Sequence, residues 1–241
     1  RFRRRLREGR LRGGEILWTR ASVELRGHRG REILNRLYSH RLSSHRLSAH
    51  AEQPGRLTVI VAGFAYCLDS PYLFYSKHVP YGLGDDVLAV DFEYSRNPEF
   101  LRLDEAQQEA WFQEELQSLR RWLSAQDAYR WLSFVGKSLG TTAVWQLLQD
   151  EGLRGRTLRA VWLTPGEKRL EIARLLLRTR LPSLVLYGEE DRYSADAPLD
   201  ELRARPAVDV VVVPGADHAL ECPDPALSIE HLQRYLERLR A

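Results

Sequence analysis

Ser138 lies in Gly136-Lys137-Ser138-Leu139-Gly140, where an apolar run ends and an amphipathic one begins. That spacing suits a nucleophilic hydroxyl, because small flanking residues let the chain turn sharply from strand to helix and leave the serine exposed. A serine that merely caps a helix needs neither glycine. A hydroxyl attacks well only when a base takes its proton, and the base needs a carboxylate to orient it. Downstream of Ser138 the histidines are His218 and His231. His231 falls inside an amphipathic helix pattern and reads as helix surface. His218 follows an apolar strand in VVVVPGADHALE, where a loop can swing it over the serine. For the acid, LVLYGEEDRYS ends a strand at Gly188 and offers Glu189, Glu190 and Asp191. Asp191 is the first choice and Glu190 the second, in the chain order serine, acid, histidine.

Acyl transfer also needs donors for a developing oxyanion. The Leu139 N–H stands at a helix N-terminus and supplies one. The loop IVAGFAYCLDSPY supplies the other: Gly63 makes the turn, the Phe64 N–H is the candidate, and Ala65 is in reserve. Cys67 and Cys222 lie in neighbouring loops with no base beside them in sequence, and both read as packing thiols.

The elements that must hold these residues follow from periodicity. Continuous apolar, β-branched runs at 57–63, 86–95, 129–135, 157–163, 181–188 and 207–215 predict strands covered on both faces. Between them, helix spacing predicts helices at 105–125, with Ala110, Trp111, Leu116, Leu119 and Leu123 inward, at 139–152 ended by Gly152, and at roughly 167–180. A short helix precedes the last strand, and a helix at 228–240 closes the pattern. Strands alternating with helices mean an α/β fold, a mostly parallel central sheet with helices on both faces. Upstream, EILWTRASVELRG alternates enough for an edge strand or two.

The charge is uneven. Residues 1–50 hold fourteen arginines against four glutamates, about +10, while the whole chain is +3. The chain divides into a basic N-terminal arm over 1–14 and a single domain over 15–241. Contact of residues 1–50 with nucleic acid or an anionic surface is the sharper reading of that charge; a solvated arm is the one adopted, since no RNA-stacking or helix-turn-helix pattern accompanies it. With one acidic residue, Glu8, and few apolar positions, residues 1–12 are expected to pack loosely. SHRLSSHRLSAH places His40, His45 and His50 five apart, about 140° per step on a helix, so they share no face and read as a polar loop rather than a metal site. No apolar window is long enough to span a membrane, the basic start has no apolar region behind it, and two cysteines make no disulfide framework. Cytoplasmic residence is expected.

Taken together, GKSLGT at the serine, VWLTP at Val161–Pro165 and G-x-x-H-x-L-E at Gly215–Glu221 resemble the α/β-hydrolase superfamily over residues 15–241, closest to its small, lid-poor bacterial members of uncharacterised activity. The resemblance implies a Ser138–Asp191–His218 triad and hydrolysis of small carboxylic esters or thioesters without a cofactor. Ala62 precedes Gly63 where commoner esterases carry a histidine. Between Leu163 and Leu181, where such proteins insert lids, there is room for one helix, which implies a shallow, open pocket. The competing reading is a non-catalytic binding module of the same fold whose basic arm docks an anionic partner.

Overall fold

The computed structural model describes residues 7–10, 16–38 and 55–241. Its strands are β1 (Arg7–Arg10), β2 (Ile16–Ala21), β3 (Leu34–Tyr38), β4 (Arg56–Val61), β5 (Asp86–Asp91), β6 (Trp131–Lys137), β7 (Thr157–Leu163), β8 (Ser183–Gly188) and β9 (Val208–Val213). The helices are α1 (Pro71–Gly82), α2 (Glu105–Ser124), α3 (Leu139–Leu147), α4 (Glu151–Gly155), α5 (Arg169–Arg178), α6 (Leu199–Arg203) and α7 (Pro225–Arg240). All the described strands join one sheet in the order β1-β2-β3-β5-β4-β6-β7-β8-β9. From β5 to β9 every neighbouring pair is parallel; β1, β2 and β3 extend one edge antiparallel.

Alternation along each strand builds two cores. Leu57, Val59 and Val61 of β4 face one layer with Phe134 and Trp162, against Trp111, Leu116 and Leu119 of α2 and Val144 of α3. Ile60 of β4 faces the other, with Val135, Val161 and Leu186, against Leu73 of α1 and Tyr235 and Leu239 of α7. Side chains two apart share a face and successive ones do not, so a strand apolar throughout feeds both layers. The chain leaves β4 for β5 on one side and reaches β6 on the other. This reversal opens a crevice at the carboxyl ends of β4 and β6, where open α/β sheets bind ligands.

Several elements depart from the expected pattern. α1 was not anticipated: its apolar and polar residues do not segregate, and Pro80 sits in its last turn. The segment expected as one helix over 139–152 is two, because α3 stops at Leu147 and the Asp150 carboxylate caps α4 at the Leu153 N–H; Gly152 lies inside α4. On α2, Ala110 is exposed, and Phe112 and Glu115 join the buried face instead. Within the segment expected as an arm, Arg7–Arg10 pair with β2, so the sheet begins before residue 15; backbone pairing at an edge needs no apolar side chains. His40, His45 and His50 lie outside the described residues. No helix among the described residues is long and apolar enough to cross a membrane.

Glu115 is fully buried, and its carboxylate takes the Arg31 guanidinium in a fork (2.8 and 3.1 Å from Nη2), the Tyr94 hydroxyl (2.8 Å) and the Trp111 indole N–H (2.9 Å). Arg31 Nη2 also donates to the Phe92 carbonyl, so the segment before β3 is pinned on α2 and on the end of β5. Removing one member of a buried pair leaves the other charge uncompensated. Arg31→Met is therefore expected to lower unfolding stability by about 3 kcal/mol or more, measured by urea denaturation; Arg26→Met, on the exposed pair with Glu24, should be nearly neutral.

Candidate active site

β6 ends at Lys137 and α3 begins at Leu139, so a single residue, Ser138, makes the turn at φ 50° and ψ −114°. A β-carbon on Gly136 would lie 2.6 Å from the Gly140 carbonyl oxygen, and one on Gly140 would lie 2.1 Å from that of Val61. Only glycines let α3 approach β4 and β6 this closely. The strained serine is held on both sides: its N–H donates to the Leu163 carbonyl at 2.9 Å, and its carbonyl accepts from the Thr141 N–H and hydroxyl at 2.8 and 2.6 Å. The Ser138 side chain makes no cap on α3. Its hydroxyl instead meets His218 Nε2 at 2.9 Å.

His218 stands in the loop after β9 and Asp191 in the loop after β8, with His218 Nδ1 and Asp191 Oδ2 2.8 Å apart. The other Asp191 oxygen accepts from the Tyr193 N–H at 3.0 Å. Burial alone would raise the Asp191 carboxyl, which is 2% exposed; hydrogen bonds from His218 and the Tyr193 N–H, with the nearby charges of His218 and Lys137, hold it below the usual carboxylate range. Glu189 and Glu190 are both exposed: Glu190 lines the pocket that holds Ser138 without joining this hydrogen-bonded chain, and Glu189 accepts from the Gly215 N–H at 2.9 Å, clipping the two loops together. His231 sits on α7, outside the pocket that holds Ser138.

That pocket measures about 810 Å³ and opens to solvent over Ser138, His218 and Asp191. Phe64, Ala65 and Leu139 line it, and among the described residues neither the Phe64 nor the Leu139 N–H donates to a protein acceptor. The Gly63 N–H closes the turn on the Tyr66 carbonyl at 3.2 Å, which lays this loop against Ser138. Between β7 and β8 the cover is α5 and its lead-in turn. Cys67 and Cys222 are free thiols outside the pocket, near Ser70 and the Pro214 carbonyl.

Sequence reasoning passed over three contributors. Lys137 is buried beside the serine, with its ammonium on Thr164 and on the His218 carbonyl. A cation inside an otherwise apolar strand was the signal for it. Tyr193 sets its ring edge-on to His218, centroids 5.4 Å apart, and its hydroxyl donates to Glu167 at 2.7 Å across the rim. Nothing in the spacing of Tyr193 and Glu167 announces that bridge.

A family model described as an alpha/beta hydrolase domain matches residues 69–236, which include Ser138, Asp191 and His218 but not Phe64. The chain belongs to the α/β-hydrolase family. Solved structures of similar fold include dienelactone hydrolase from Anabaena variabilis (16% identity, TM-score 0.62, covering 91% of this chain and 96% of that one). Est1E from Butyrivibrio proteoclasticus is another (14% identity, TM-score 0.58, 88% and 93%). The esterase domain of a Rhodothermus marinus protein is a third (17% identity, TM-score 0.55, 90% and 96%). No curated protein matches the chain in sequence. At such identities the shared property is the fold.

The tight turn has a measurable consequence. Gly140→Ala drives a methyl into a backbone oxygen that cannot move aside, and should cost about 3 kcal/mol, the upper end of overpacking effects. A domain of this size should then melt about 6–12 °C lower in a thermal scan.

Proposed function

We propose that this protein is a serine hydrolase that cleaves small carboxylic esters or thioesters through an acyl-enzyme. The observation that carries the reading is the unbroken chain Ser138 Oγ, His218 Nε2, His218 Nδ1, Asp191 Oδ2, with links of 2.9 and 2.8 Å. In the proposed reaction Ser138 Oγ attacks the acyl carbon while His218 Nε2 takes its proton. Asp191 accepts from Nδ1–H, which fixes the tautomer and stabilises the imidazolium. The Phe64 and Leu139 N–H groups receive the oxyanion. Collapse expels the alcohol or thiol, protonated by His218. A water deprotonated by the same nitrogen then attacks the acyl-serine, and the acid leaves as Ser138 regains its proton.

The open pocket with its thin cover supports small or flexible acyl groups rather than buried long chains. Two structural neighbours carry esterase and dienelactone hydrolase in their names, which agrees with ester chemistry. A binding module would have no use for a base-paired hydroxyl facing unpaired N–H donors. The free thiols suit a reducing, cytoplasmic setting.

A screen of p-nitrophenyl esters of graded chain length should find turnover at the short end. Ser138→Ala should lower kcat by about 10³-fold or more with an unchanged melting temperature, because the hydroxyl faces the pocket. Asp191→Asn should cost about 10⁴-fold by stabilising the wrong histidine tautomer, whereas Glu189→Gln and Glu190→Gln stay within a few-fold. Wild-type turnover in Ser138→Ala, or a damaging Glu190→Gln beside a harmless Asp191→Asn, would overturn these assignments.

A further inference from the structure

Lys137 is 1% exposed, yet among the described residues no carboxylate lies within ion-pair distance of it. The other deeply buried lysine, Lys77, behaves conventionally and pairs with Asp69 at 2.9 Å. Lys137 Nζ instead donates to Thr164 Oγ1 at 2.6 Å and to the His218 carbonyl at 2.7 Å, and lies 4.8 Å from the centre of the Tyr66 ring. Thr164 Oγ1 donates to the same carbonyl at 3.1 Å from a backbone at φ 44°, a posture uncommon for threonine. One ammonium thus joins the end of β6, the end of β7, the loop after β4 and the histidine loop.

Burial pushes the Lys137 ammonium down to about 8, against the opposing pull of Asp191, Asp217 and Glu221. A neutral side chain of similar shape would avoid that desolvation penalty, and such replacements in protein interiors are often neutral or stabilising. An ammonium kept there without a counter-ion is poorly explained by stability. Its position explains it better: it grips the backbone of the one residue whose ring must meet both Ser138 and Asp191.

We propose that Lys137 is a positioning residue that clamps the His218 carbonyl to β6 and β7 and so holds the imidazole on Ser138. The proposal rests on the reading of Ser138 and His218 as nucleophile and base. The charged and titratable groups around the clamp are Tyr66 from the loop after β4, Asp191 from the loop after β8, and Asp217, His218 and Glu221 from the histidine loop.

Full-length Lys137→Met and Lys137→Gln test this with three readouts. Thermal unfolding of Lys137→Met at pH 7 should match or exceed the wild type. With p-nitrophenyl acetate, kcat should fall by about 10–100-fold, the scale of a misplaced reacting group, while KM changes by less than about threefold. Lys137→Gln, which keeps a donor, should recover part of the kcat. A lower melting temperature with an activity loss in proportion, and no recovery of kcat in Lys137→Gln, would make Lys137 structural only and overturn the proposal, as would wild-type kinetics. NMR of the His218 ring in wild type and Lys137→Met needs no turnover: ring contacts to Ser138 that are the same in both would refute the clamp. If no ester is cleaved and Ser138→Ala changes nothing, the hydrolase reading fails by itself, and the ring contacts still decide the role of Lys137.

Discussion

The approach of the first turn of α3 to β4, with Gly140 over the Val61 carbonyl, is the constraint on which the site depends. It sits where the chain order reverses across the sheet, so the loop after β4 and the turn after β6 are forced side by side. Because the helix starts immediately, one residue must absorb the whole change of direction, and Ser138 does so at positive φ. That posture turns its side chain away from the cap position and toward His218. It also leaves the Leu139 N–H unpaired at a helix N-terminus, where negative charge is favoured. The exposed hydroxyl and the unpaired N–H are two results of one steric fact.

Buried charge is used differently in different parts of the molecule. Glu115 and Arg31 neutralise one another among donors that fill the remaining lone pairs, and their job is to fasten the segment before β3 to α2. Around His218 the charges are left partly uncompensated. Asp191 is held below its ordinary value, so its contribution to stability is present at neutral pH and fades as pH falls through the folded value. Lys137 is lowered from 10.5 to about 8, so its burial is a liability at neutral pH that is relieved as pH rises between those values. A structure that tolerates this liability gives up stability beside its hydroxyl–imidazole–carboxylate chain.

Much of this was legible in the sequence because strong local signals and global packing agree. The run LTVIVAG became β4, which feeds both cores, and TLRAVWL became β7 over the expected residues. Ser138, Asp191 and His218 were found by chain order, each just past an apolar strand, and the structure brings Ser138 and Asp191 within hydrogen-bond reach of His218. What escaped depends on partners distant in sequence. α1 has no clean amphipathic stripe because one side packs on the sheet and another on α7. Glu115 was not among the inward positions expected on α2, because its counter-ion, Arg31, stands eighty-four residues away. The role of Lys137 is set by a carbonyl eighty-one residues downstream, which no local pattern encodes.

The central claim is that Ser138 is an activated nucleophile, and its reactivity toward a fluorophosphonate tests that most directly. The folded protein, treated with a small excess of the reagent and examined by intact and peptide mass spectrometry, should take up one phosphonyl group per chain. The adduct should sit on the peptide containing Gly136-Lys137-Ser138-Leu139-Gly140 and be absent when His218 is replaced by alanine. A folded protein that stays unlabelled, or that carries the adduct on another residue, would contradict the account.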